Sequence, residues 1–189
     1  MKVLIIVDMQ NDFIDGALGT PEAQAIVPNV ISKIRDAEGD ETLVILTKDT
    51  HYEDYLTTQE GRNLPVPHCI YMTPGWSINK EVAAAVDYGH IMTYHSDTII
   101  KSRILKNTFG SIDLGTLLSS MNKNDDIDSI ELIGLCTDIC VISNALLIKA
   151  CLPEVPIIVD AACCAGVTPE SHKNALAAMK TCQIKIINE

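Results

Sequence analysis

IELIGLCTDICVISNALL, residues 130–147, carries the pattern that decides the fold. An apolar run leads into Gly134, a short turn follows through Cys136, Thr137 and Asp138, and an apolar helix begins at once. A run without polar alternation suits a strand buried on both faces, as in a parallel sheet covered by helices. Three other runs read the same way, at residues 3–7, 42–47 and 156–159, and two weaker ones, at 98–100 and 184–187, bring the sheet to about six strands. Helical patterns lie between them at 23–36, 78–87, 112–121, 138–150 and 169–180. The last opens with Thr168 as N-cap, Pro169 at the first helical position and Glu170 in the first turn. Strands alternating with helices imply parallel pairing and right-handed crossovers. The expectation is an α/β, three-layer doubly wound fold with a mostly parallel sheet and helices on both faces.

With 189 residues and 47% hydrophobic content, the chain can bury one substantial core, and residues 1–189 read as a single domain. A net charge of −11 argues against nucleic acid and anionic membrane surfaces, which need clustered Lys and Arg. No apolar stretch approaches the roughly 18 residues of a spanning helix, and the N-terminus lacks a signal-peptide pattern. Seven cysteines, an odd number set mostly in apolar segments, read as reduced thiols and hence as a cytoplasmic protein.

Doubly wound sheets gather their sites at the carboxyl ends of the strands. Asp8 ends the first strand, Asp49 and His51 follow the second, and Cys136 to Cys140 follow a later one, so their loops should meet on one rim. Cys140 falls in the first turn of its helix, where the partial positive charge favours a thiolate and free N–H groups can stabilise an oxyanion. A free Cys is also often just a small buried hydrophobe, and Cys136 with Cys140 forms only a weak metal or redox signal. Asp49 and His51, two apart on an extended segment, can point to one side; with His68 they form a carboxylate and two imidazoles suited to Zn, Fe or Mn. His68 lies in a loop, residues 52–77, whose length and Pro/Gly content favour a functional role. His90, His95 and His172 have no such context and read as structural or exposed.

The run Gly134-Leu135-Cys136-Thr137-Asp138-Ile139-Cys140-Val141 resembles the nucleophile signature of the isochorismatase-like cysteine hydrolases, which include nicotinamidases. Asp8 to Phe13, D-M-Q-N-D-F, is similar to that family's first motif. The family's lysine is placed at Lys106, ahead of Phe109-Gly110-Ser111; Lys101 competes but lacks that downstream pattern. The resemblance implies a nucleophile at Cys140, a base at Asp8, a charge-balancing Lys106, and an oxyanion hole from the backbone N–H groups of Cys136 and Cys140. It also implies a cis peptide at Leu135–Cys136 and substrate contacts at Phe13 and Leu135. D-T-H at Asp49 to His51 followed by L-P-V-P-H at Leu64 to His68 is similar to the metal-binding region of nicotinamidases. That implies a divalent transition metal, zinc first and iron or manganese as alternatives, at Asp49, His51 and His68. The implied reaction is hydrolysis of a small amide, foremost nicotinamide, through a thioester. The alternatives are a metal-free hydrolase of another small amide or ureido compound, and a thiol-rich metal-binding domain without activity. A homo-oligomer is compatible with either enzyme. One departure concerns the second aromatic wall: Asn63-Leu64-Pro65 stands where nicotinamidases often carry a tryptophan, leaving Trp76 or a nearby tyrosine to supply the ring.

Overall fold

The computed structural model describes residues 1–38, 42–87, 103–124 and 126–189. Among the described residues, six strands form one parallel sheet: β1 (Lys2–Val7), β2 (Leu43–Asp49), β3 (Arg103–Lys106), β4 (Ser129–Leu135), β5 (Ile157–Ala165) and β6 (Lys185–Ile187). Their order is β3-β2-β1-β4-β5-β6, so the chain turns from one side of the sheet to the other between β1 and β4. The carboxyl ends beside such a reversal form a natural crevice.

Side-chain alternation builds two cores from each central strand. Val3, Ile5 and Val7 of β1 join a cluster with residues of α5 (Ile112–Asn124), α6 (Ile142–Cys151) and α7 (Pro169–Thr181). Leu4 and Ile6 join the opposite cluster with α1 (Asn11–Ile14), α2 (Pro21–Glu38) and α4 (Lys80–Asp87). Both sides of β1 are therefore shielded, and each of these five side chains contributes roughly 1.5–3 kcal/mol relative to exposure. Among the described residues, no helix is long and apolar enough to cross a membrane.

Expected and observed elements agree in order but not in every boundary. Thr168 caps α7 by accepting from the Ser171 N–H, with Pro169 as the first helical residue. The strand expected at residues 98–100 lies outside the described residues, as do Lys101, His90 and His95; the edge strand found is β3, with Lys106 as its last residue. Strand β5 runs past the expected end at Val159, because buried Asp160 finds partners in Lys33 Nζ (2.8 Å) and Asn188 Nδ2 (3.0 Å). The helix expected from Asp138 starts instead as a π-helical turn, Thr137–Val141, and becomes α6 at Ile142. The loop after β2 contains a 3-10 turn at Tyr55–Thr57 and the short α3 (Gln59–Asn63).

Candidate active site

Strand ends bring Asp8, Lys106 and Cys140 together. Gly134 makes the close approach of β4 to β1 possible: its φ is +114°, and a Cβ there would lie 2.1 Å from the Val7 carbonyl oxygen. No side chain fits, so glycine is required two residues before the nucleophile turn. Asp8 takes a φ of 47° just beyond β1, a left-handed conformation that Asp adopts more readily than most residues. Its Oδ1 accepts from Thr47 Oγ1 at 2.6 Å, which fixes the carboxylate.

Lys106 reaches across from the end of β3. Its Nζ lies 2.6 Å from Asp8 Oδ2, 3.3 Å from Cys140 Sγ and 3.6 Å from Asp49 Oδ1. The contact with Asp8 is a buried ion pair. Burial opposes the charge on Lys106, but Asp8, Cys140 and Asp49 together hold its ammonium well above the usual range. Burial raises the Asp8 carboxyl, outweighing the opposing pull of Lys106.

The protonation expected for Cys140 needs correction. Burial pushes its thiol well above the ordinary range, Asp8 adds to this, and Lys106 only partly opposes it. Desolvation outweighs any field from the helix end, which favours a thiol beside the Asp8 carboxylate over a preformed thiolate. The Cys136 thiol is pushed up to about 12, by burial first and then by Asp138. The Leu135–Cys136 peptide is cis.

A cavity of about 740 Å³ opens in front of Cys140, lined among others by Phe13, Tyr52, Tyr55, Leu64, Phe109 and Cys136. Phe13 thus stands where expected. Leu135 does not: it ends β4 with its side chain packed in the core on the α2 side, 1% exposed, and only its neighbour Cys136 lines the cavity. Trp76 is also elsewhere, donating through Nε1 to Thr50 Oγ1 with its ring against Lys48. Tyr52 and Tyr55 supply the further aromatic surface.

On the same rim, Asp49, His51 and His68 place one ligand atom each within 4.8 Å of the others. Asp49 Oδ2 is 3.0 Å from His51 Nε2 and 3.4 Å from His68 Nε2. Two ligands about 2.1 Å from a tetrahedral zinc lie about 3.4 Å apart, so these spacings fit a cation at the centre. His51 Nε2 is buried without a hydrogen-bond partner, as expected of a nitrogen that awaits an ion. His68 Nδ1 lies 2.8 Å from the Val66 carbonyl, which selects the Nδ1–H tautomer and frees Nε2 as a ligand. Burial works against ionisation of Asp49, but the adjoining His51 and His68 imidazoles and the Lys106 ammonium hold its carboxyl well below the usual range.

Three neighbours were not legible as site residues. Glu60 on α3 brings Oε1 to 3.5 Å from His51 Nε2 and 3.8 Å from His68 Nε2, a second carboxylate beside the imidazoles. Tyr55 packs its ring against both imidazoles, at 4.6 and 5.1 Å between centroids. Gln10 grips Asp49 at both backbone groups: its Oε1 accepts from Asp49 N (2.7 Å), and its Nε2 donates to Asp49 O (2.8 Å) and Trp76 O (2.9 Å). Its place inside D-M-Q-N-D-F was the available signal. His172 lies apart from the cavity, with Nδ1 2.8 Å from Thr137 Oγ1.

The Isochorismatase domain model matches residues 2–188. The nicotinamidase/pyrazinamidase of Mycobacterium tuberculosis is 27% identical over 201 residues, covering 99% of this chain and 98% of that protein. The nicotinamidase of Schizosaccharomyces pombe is 26% identical over 98% of this chain and 92% of its own length. Among solved structures, the pyrazinamidase of Pyrococcus horikoshii in complex with zinc superposes with a TM-score of 0.73 at 27% identity, covering 100% of this chain and 99% of that one. With nearly its whole length matched and the strand-end site in place, the chain belongs to the isochorismatase family.

Proposed function

We propose that the protein is a metal-dependent cysteine amidohydrolase that converts nicotinamide to nicotinate and ammonia. The observation that carries the reading is the pairing of two sites on one cavity: the Asp8–Lys106–Cys140 cluster and the Asp49–His51–His68 group. Nicotinamidases of comparable length match along almost the whole chain, which favours nicotinamide over other small amides.

The chemistry follows from the protonation states. Asp8, a carboxylate of raised basicity, takes the Cys140 proton as the sulfur attacks the amide carbon. Lys106 stays charged beside both groups and compensates the negative charge that moves from oxygen to sulfur. The backbone N–H groups of Cys136 and Cys140 receive the oxyanion. Asp8 then returns its proton to the departing nitrogen, ammonia leaves, and a thioester remains on Cys140. Asp8 next deprotonates a water that attacks the thioester, and nicotinate and the thiol are released.

Asp49, His51 and His68 would hold zinc, which would supply a Lewis-acid anchor for the ring nitrogen. Phe13 stacks on the ring, and Tyr55 keeps both imidazoles in place. We take residues 1–189 as one hydrolase domain, a reading favoured by the family match over residues 2–188. All seven cysteines are free, which favours a reducing compartment, the cytoplasm in our reading.

Ammonia release measured over a panel of small amides tests the substrate. Nicotinamide should be the best substrate for the wild-type protein and should not turn over with Cys140→Ala. Preference for an unrelated amide or ureido compound, unaffected by chelation, would put the metal-free alternative in its place.

A further inference from the structure

Asn144 has no part in the chemistry above, yet its side-chain amide joins both halves of the catalytic cluster. It lies on α6, one turn beyond Cys140, and is fully buried. Its Nδ2 donates to the Cys140 carbonyl at 2.8 Å and to the Phe109 carbonyl at 3.1 Å. Its Oδ1 accepts from the Ser111 N–H at 2.9 Å. Both amide hydrogens and one acceptor site are therefore used, all on main-chain groups of two segments that are far apart in sequence.

Those segments matter because of what they carry. Residues 107–111 connect Lys106, at the end of β3, with α5, and Asn107, Thr108 and Phe109 of this stretch line the cavity. The other segment is the π-helical turn that presents Cys140. Gly110 packs tightly on the same helix, since a Cβ there would come within 3.1 Å of the Ser143 carbonyl oxygen. Lys106 and Cys140 touch at one point, Nζ to Sγ. Asn144 makes a second link between their backbones, and a link of main chain to main chain fixes position where a flexible lysine side chain cannot.

We propose that Asn144 is a positioning residue which, by hydrogen-bonding the Cys140 carbonyl and the loop after Lys106 together, sets the separation of nucleophile and lysine. The proposal rests on the amidohydrolase reading for its kinetic readout. The ligands that would anchor the ring nitrogen sit on β2 and on the loop that follows it, and Phe13 sits on α1, all outside this link. Loss of the link should therefore lower kcat and leave KM nearly unchanged.

The test compares Asn144→Ala with Asn144→Asp. The aspartate has the same size and still accepts from Ser111 N–H, but it has no N–H and even when protonated can donate to only one of the two carbonyls. Both variants should lose about 10- to 100-fold in kcat for nicotinamide, with KM within about threefold of wild type. Alkylation of Cys140 by iodoacetamide should slow at least about fivefold, since a displaced sulfur loses Lys106. If Asn144→Ala does not fold, Asn144→Asp decides alone. A folded Asn144→Asp with kcat within about threefold of wild type would overturn the proposal, because filling space would then suffice. Wild-type protein in the same assay keeps the two readings apart. If it releases no ammonia from nicotinamide, the substrate assignment fails, while the alkylation rates still support or overturn the positioning role.

Discussion

Replacing Lys106 by Met should destabilise the protein by an amount set by Asp8. Both side chains of the pair are almost wholly buried, 1% and 0% exposed. Removing one partner of such a pair costs about 3–5 kcal/mol, because the other is left charged in a poor solvent. Asp8 would keep the Thr47 hydroxyl and the neighbouring Cys140 thiol, both uncharged, as partners. The loss has a ceiling, since Asp8 can take up a proton. From an ordinary value of 3.8, protonation at pH 7 costs about 4 kcal/mol, at about 1.4 kcal/mol per pH unit. At pH 5 the same ceiling is only about 1.6 kcal/mol. The sign follows from linkage. A carboxyl whose folded pKa is raised costs nothing below its unfolded pKa, and its penalty grows as pH climbs from there to the folded pKa. The Lys106→Met deficit should therefore be about 3–4 kcal/mol at pH 7, or about 10 °C in Tm, and should shrink by about half or more at pH 5. Urea unfolding at both pH values measures it, with Asp8→Asn/Lys106→Met as the control that removes the stranded charge. Equal deficits at both pH values, or a double variant no more stable than Lys106→Met, would show that a stranded Asp8 charge is not what the substitution costs.

Two other perturbations separate the parts of the molecule. His51→Ala or His68→Ala should strip the bound metal and cut turnover while Cys140 still reacts with iodoacetamide; parallel loss of labelling in folded protein would tie the two sites together more tightly than the geometry does. That labelling rate in wild type should still be rising at pH 9, because burial and Asp8 hold the thiol high, whereas a plateau below pH 7 would reveal a preformed thiolate. Lys33→Met should cost about 2 kcal/mol, or about 4–8 °C in Tm, by unpairing Asp160, which is 1% exposed. Burial disfavours the Lys33 ammonium, but hydrogen bonds to Asp160 and Glu131 hold its pKa above the usual 10.5, so the wild-type advantage is full below pH 10.5 and is lost as pH rises through the folded value. An unchanged Tm at pH 7 would show that the pair contributes nothing.

Legibility followed the range over which each feature is determined. Strands buried on both faces announce themselves as apolar runs, and Asp8, Asp49 and Cys140 stood out because each follows such a run. The edge strand did not, since Arg103–Lys106 alternates between exposed and buried positions and ends in lysine. Glu60 and Tyr55 are brought to the imidazoles by a folded loop, and nothing in a linear reading measures that closeness. Leu135 was expected at the substrate from its neighbours in the motif, but strand alternation turns its side chain into the core. The Cys140 thiol was misjudged because helix-end position can be read from sequence and complete burial cannot.

Quenching nicotinamide turnover in acid and mapping the acyl group by peptide mass spectrometry shows directly which cysteine is the nucleophile. A nicotinoyl thioester is expected on Cys140, present in wild type and in Cys136→Ala and absent from Cys140→Ala. An adduct on Cys136, or steady hydrolysis by folded Cys140→Ala, would contradict it.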